Sequence, residues 1–310
     1  MVTPFGWLAS RIALERRSLR AASLTAMVAA ILIIVGGGVV RVTGSGLGCP
    51  DWPACTDGSL APTAQMGIHA TIEFANRLLT TVLCAAVGWV IIAARLQREP
   101  VPGITRWAWV QFWLVVLNAV IGGVTVWVKL NPFMVAGHFL AATLLLTAAA
   151  ITWDKTQNLT AKQQPESTPQ LKTLGTSMLA INAVMVILGT AVTGSGPHAG
   201  DSADVPRMGF DWLGITVVHA VAAVLALVMA LVIWRTSNQQ QVPNVSSKAT
   251  MYVLVFAGQG AIGIVQALTH LPELLVVCHL VGSALVWIGA VRLMLATHAP
   301  QRTVAARAHS

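Results

Sequence analysis

Eight uninterrupted apolar runs divide this chain, and they restrict its fold more tightly than any other feature. They fall at 22–42, 67–95, 104–128, 133–153, 174–195, 211–234, 248–268 and 273–296. A helix needs about 20 apolar residues to cross a bilayer. The runs are continuous, not alternating, which is the pattern of membrane helices and not of barrel strands. Charged residues make up only 10% of the 310, against about 25% in a soluble protein. The expected fold is therefore an all-α integral membrane protein with eight transmembrane helices.

The net charge of +8 would suit a nucleic-acid partner, but its placement points to topology. With the N-terminus inside, all of the 19 Lys and Arg except Arg41, Arg77, Lys129 and Arg207 fall in cytoplasmic segments. The positive-inside rule then puts both termini in the cytoplasm of a multi-pass cell-membrane protein. Lipid is the expected surroundings and nucleic acid is not an expected partner. The N-terminal arginines and first apolar run resemble a secretory signal. The run is too long, however, and no small-residue cleavage site follows it, so it reads as a retained helix.

The first run ends in Val42-Thr43-Gly44-Ser45-Gly46 and the fifth in Val192-Thr193-Gly194-Ser195-Gly196. This identity marks a duplication into two fused, pseudo-symmetric four-helix bundles. Each half has an even number of spans, so the halves are parallel repeats about an axis along the membrane normal. The expected organisation is a cytoplasmic arm at 1–21, an N-terminal bundle at 22–153 and a polar linker at 154–173. A C-terminal bundle at 174–297 and a cytoplasmic tail at 298–310 complete it.

Every second run carries a histidine near its start: His69, His138, His219 and His279. An ionisable group within a span costs roughly 2.5–3.5 kcal/mol on insertion scales. Four of them suggest a shared ligand, and for imidazoles in a helical bundle the first candidate is haem iron. His138 matches His279 at an offset of 141. For His219 two registers compete: an offset of 150 pairs it with His69, and one of 140 places it near Leu79. At about 1.5 Å per residue, His219 lies about 24 Å above Arg235, level with His138 above Asp154. On the same measure Asn76 lies about 28 Å above Arg95, and His69 about 39 Å. Depth thus favours Asn76, not His69, as the residue level with the other histidines.

The stretches Gly37-Gly38-Val39-Val40-Arg41-Val42-Thr43-Gly44-Ser45-Gly46-Leu47-Gly48-Cys49-Pro50-Asp51-Trp52-Pro53 and Ile72-Glu73-Phe74-Ala75-Asn76-Arg77 resemble the haem A synthase family. The histidine-bearing spans 4, 6 and 8 extend the likeness over nearly the whole chain. The resemblance implies oxidation of the C8 methyl group of haem O to a formyl group, giving haem A for terminal oxidases. It implies a haem b cofactor held by His219 and His279 in the C-terminal half. Substrate haem would lie in the N-terminal half, with His138 as axial ligand and Glu73 nearby as the catalytic carboxylate. The implied partners are haem O, haem O synthase and an electron acceptor that the sequence does not identify.

The chain departs from the family's pattern at Asn76, where a histidine is usual. Three readings are open: an open or water-filled iron position, His69 reaching in from two turns above, or a site that no longer binds haem in the same way. The first two are favoured. Glu73 serves either as a base or electrostatic stabiliser in methyl oxidation, or as the ion-pair partner of Arg77. Arg41 and Arg77 are candidates to hold haem propionates, or else to snorkel at the interface. Cys49 and Cys55 share the first outer loop, where a disulfide is expected, either redox-active or a structural staple. Cys84 and Cys278 read as apolar fillers. Tryptophans near helix ends, Trp52 among them, fit an interfacial belt. Two rivals use the same features: a quinol-linked cytochrome b that only carries electrons, and a colourless parallel-repeat transporter.

Overall fold

The computed structural model describes residues 11–157, 167–198, 200–201 and 205–299. Residues 158–166 of the linker, most of the tail and His309 therefore lie outside the described residues. Eight long helices appear: α1 (Arg16–Val42), α2 (Gly67–Arg95), α3 (Ile104–Trp127), α4 (Pro132–Gln157), α5 (Pro169–Ser195), α6 (Trp212–Gln239), α7 (Pro243–Leu268) and α8 (Glu273–Thr297). Each is long and apolar enough to cross a bilayer. Among the described residues β-structure is limited to isolated bridges, such as Leu14 with Gln97. The protein is an eight-helix integral membrane protein.

The helices are packed by their small residues. Ala22, Ala26 and Ala30 line the buried stripe of α1, and Ala222, Ala226 and Ala230 that of α6. Leu24, Val28 and Leu32, like Val217, Val221, Val224 and Val228, face outward. This follows from the solvent. Lipid is as apolar as leucine, so helices associate through close backbone approach and interhelical hydrogen bonds. One such bond is fully buried in the second half: the Tyr252 hydroxyl donates to Asn182 Oδ1 at 2.9 Å, while Asn182 Nδ2 donates to the Met178 carbonyl. Tyr252→Phe leaves the Asn182 oxygen unpaired and should cost about 1–2 kcal/mol of stability in detergent unfolding.

Neighbouring helices close two rings. α1 packs on α2, α2 on α3, α3 on α4 and α4 on α1; α5 to α8 close in the same order. The even-numbered helices of each ring are thus diagonal partners that face one another across its middle. Between the halves α4 packs on α8, α1 on α8 and α4 on α5. Exchanging each helix with the one four places later leaves this pattern unchanged, as a two-fold repeat requires. Trp287 Nε1 donates to Thr147 Oγ1 across the α4–α8 seam at 2.8 Å. At the linker end, buried Asp154 of α4 accepts from Lys248 of α7 and Arg292 of α8.

The duplication extends to the turns. Lys129 and Leu130, after α3, both have positive φ, as do His270 and Leu271 after α7. Leu130 N–H bonds the Thr125 carbonyl, and Leu271 N–H bonds that of Gln266. Consecutive left-handed non-glycine residues are uncommon. Here they recur at an offset of 141, the same as between His138 and His279.

Several helices run past the apolar stretches at their polar, linker-side ends. α5 starts at Pro169, behind Thr168, whose hydroxyl accepts the Leu171 N–H, and α7 starts at Pro243. Hydropathy marks where lipid lies, whereas helix ends are set by caps and prolines.

Candidate functional site

Each even-numbered helix presents one polar side chain to a glycine on the odd-numbered helix before it. A Cβ on Gly122 of α3 would lie 2.9 Å from His138 Cε1, and one on Gly189 of α5 would lie 3.3 Å from His219 Cε1. On Gly263 of α7 it would lie 3.2 Å from His279 Cε1. On Gly36 of α1 it would run into Asn76 Oδ1. Glycine inside a helix costs roughly 0.5–1 kcal/mol relative to alanine. Its use here makes room for the Cε1 edge of each imidazole against the neighbouring helix.

His219 is the most completely oriented of the four. Its Nδ1 lies 3.0 Å from the Met185 carbonyl, one turn from Gly189. A carbonyl only accepts, so Nδ1 carries the proton and Nε2 keeps its lone pair. Metal-bound histidines are commonly oriented in this way. His279, on the diagonal helix, is within electrostatic reach of His219, and its Nδ1 is buried without a partner among the described residues. His138 makes no hydrogen bond among the described residues, and Asn76 Oδ1 is buried without one.

Among the described residues no group of three or more His, Cys, Asp or Glu comes together. A bare zinc site takes at least three protein ligands. Two imidazoles on diagonal helices suit instead a metal whose other positions are filled by a macrocycle, held in a bundle core. The glycine seats, the free Nε2 of His219 and the orphaned His279 Nδ1 therefore fit haem in the second half. Gly189→Val should push His219 off the Met185 carbonyl and weaken haem retention by about 10–100-fold, measured as bound haem per purified protein.

The end of the first half that carries the Gly-Ser-Gly motif is closed by the 43–63 loop. Cys49 and Cys55 form a buried disulfide within it. Glu73 Oε2 accepts the Cys49 N–H at 2.7 Å, and Glu73 Oε1 accepts from Arg77 Nε and one terminal nitrogen at 3.1 and 2.5 Å. Arg77 also donates to the carbonyls of Cys49, Asp51 and Ala54. All five N–H donors of Arg77 are thereby engaged. It braces the loop, with no donor left for a propionate. Trp52 packs against Gly123 and edge-on to Trp127, at 5.5 Å between ring centroids.

His69 is not brought to the level of the glycine seats. It is exposed at the start of α2, and its Nδ1 lies 3.0 Å from Ser45 Oγ. Asn76, seven residues on, is seated as His219 is. Arg41 lies between the halves, donating to the Thr193 carbonyl at 2.8 Å, with its Nε buried and without a partner among the described residues. The second half's outer loop docks beside it: Gly46 N–H bonds the Gly200 carbonyl, and Leu47 N–H bonds Asp201. Asp201 is also within electrostatic reach of Glu73. Sequence reasoning missed both the glycine seats and this docking. The glycines could have been noticed in the sequence, but pairing each with its histidine requires the helix contacts.

Fold and site together define a duplicated eight-span membrane protein with polar side chains seated in pairs across two four-helix rings. The chain belongs to the COX15-CtaA family of cytochrome oxidase assembly proteins, whose profile matches residues 20–291. It is 30% identical to a heme A synthase from Lysinibacillus sphaericus over 148 residues, covering 46% of this chain and 48% of that protein. It is also 30% identical to one from Geobacillus thermodenitrificans over 161 residues, 48% of each. These matches span about half the length of those relatives. A heme A synthase from Rhizorhabdus wittichii aligns over 83% of this chain and 89% of its own length, at 26% identity.

Proposed function

We propose that the chain is an oxidoreductase that converts the C8 methyl group of haem O to a formyl group, yielding haem A. The observation that carries this reading is the unequal equipment of two otherwise matching halves. The second half seats two imidazoles, while the first seats one, opposite an amide, with a buried carboxylate one turn away. A pure electron carrier needs no such difference. The family and the names of its relatives supply the substrate class.

In this reading the N-terminal bundle receives haem O and the C-terminal bundle holds haem b. Haem b, when bound, supplies a one-electron relay. His219 and His279 would hold its iron, with His219 oriented by the Met185 carbonyl. His138 would hold the iron of the substrate. Arg41, with its buried free Nε–H, holds the substrate's anionic edge. Glu73 accepts a proton as the methyl carbon is oxidised, or stabilises positive charge developing there. The Cys49–Cys55 loop holds Glu73 in place through the Cys49 N–H. The carbon passes through the alcohol before the aldehyde, losing two hydrogens and gaining one oxygen; with water as the oxygen source, four electrons and four protons leave, the electrons to an acceptor. Haem O synthase is the natural donor of the substrate. The Lys and Arg distribution supports a cell-membrane orientation with both termini cytoplasmic and the disulfide loop outward.

One observation favours the electron-carrier reading instead: both oxygens of Glu73 are already engaged in bracing the loop. Expression in a host that makes haem O but lacks its own haem A synthesis separates the two. Haem A in the extracted pigments supports oxidation. Unchanged haem O beside a normally folded, haem-loaded protein refutes it.

A further inference from the structure

We propose that the first half offers haem iron a single strong ligand, His138, and leaves the opposite face open to small exogenous molecules beside the amide of Asn76. This rests on the reading of the chain as a haem protein and adds a functional difference between its two sites.

The geometry is that of the four seats. Gly122, Gly189 and Gly263 each carry an imidazole, whereas Gly36 carries the Asn76 carboxamide. Asn76 makes no hydrogen bond among the described residues, and its Oδ1 is buried. An unsatisfied buried amide costs about 1–3 kcal/mol, and no donor among the described residues meets its oxygen where it packs on Gly36. A neutral carboxamide is not among the usual axial ligands of haem, which are imidazole, thiolate, thioether and phenolate.

No second imidazole replaces it among the described residues. His69 lies seven residues away on α2, about 10 Å along the axis, and is held at the loop by Ser45. His198 bonds the Leu271 carbonyl, and His298 sits beside Met294 at the far end of α8. The second half differs, with imidazoles on both diagonal helices. Its iron is closed by two protein ligands, while that of the first half exchanges small molecules. An open iron face is where an oxygen-containing co-reactant would meet the substrate.

Titration of the purified full chain with ferric haem b, followed by electron paramagnetic resonance and by carbon monoxide after reduction, tests this. The expected protein binds two haems, one low-spin and inert to carbon monoxide and one high-spin that binds it. His138→Ala should abolish the high-spin centre alone. Asn76→His should turn it low-spin and reduce carbon monoxide binding from about one per protein to near zero. The wild-type readout stands even if Asn76→His misfolds. Two low-spin, inert centres would overturn the proposal, as would a chain saturating at one low-spin haem, while leaving the second-half assignment intact. A chain that takes up no haem would overturn the haem reading and this inference together.

Discussion

His279→Ala is expected to strip the low-spin haem from the second half and stop turnover. His279 lies on Gly263, with its Nδ1 buried and unpartnered among the described residues, so packing orients it there. Removing it leaves His219 as the one imidazole within that ring, and haem retention should fall by on the order of 100-fold or more. His279→Met offers a thioether in its place and should keep part of the haem at a raised reduction potential. Bound haem per protein and a redox titration read both effects. His219→Ala should match His279→Ala in haem loss, because the two act on one iron. A low-spin spectrum unchanged in either alanine variant would remove this pair from the site.

Glu73 is the second position where a large effect is expected, and two substitutions separate its possible roles. Glu73→Ala leaves Arg77 without its carboxylate and the Cys49 N–H without an acceptor. Breaking a buried pair from one side costs about 3 kcal/mol or more, so thermal stability and haem A yield should both fall. Glu73→Gln keeps the shape and one of the two acceptor oxygens, at the cost of placing its NH2 against a donor, and should lose less stability than the alanine variant. It cannot take a proton as the carboxylate does. If Glu73 acts on the substrate, the Gln variant loses on the order of 100-fold in haem A formation while remaining folded. If Glu73 only braces the loop, activity in the two variants follows their stability. The same loop gives Arg77→Lys a distinct signature. One ammonium cannot reach the three carbonyls that the guanidinium spans, so loop order suffers even though the charge is kept.

The transmembrane architecture was legible because lipid imposes continuous apolar runs. All eight spans begin or end within a residue of the helix at the Gly-Ser-Gly side. The runs stopped short at the linker side, where Arg16–Arg20, Asp154–Gln157 and Thr236–Gln239 continue helices in polar sequence. The histidines were visible because imidazole is costly in a span. Their pairing was less so. Counting back from Arg95 and Arg235 placed Asn76 near the level of His219, but could not show that both rest on glycines of the preceding helix. The offset of 150 from the Gly-Ser-Gly motif and that of 141 from the second helix pair differ because the loops between them differ in length. Repeat register therefore has to be read helix by helix. The engagement of Arg77 was hidden for a related reason. Its partners are backbone carbonyls of a loop, which leave no residue-type signal.

The most direct test of the haem reading is a reduced-minus-oxidised absorption spectrum of the purified chain, expressed with haem O available, with the pigments then extracted and identified by mass. The expected spectrum contains a low-spin haem b contribution that depends on His219 and His279, and the extract contains haem b together with haem O or haem A. A colourless protein, folded and expressed with ample haem, would contradict it and turn the seated histidines toward a transported solute.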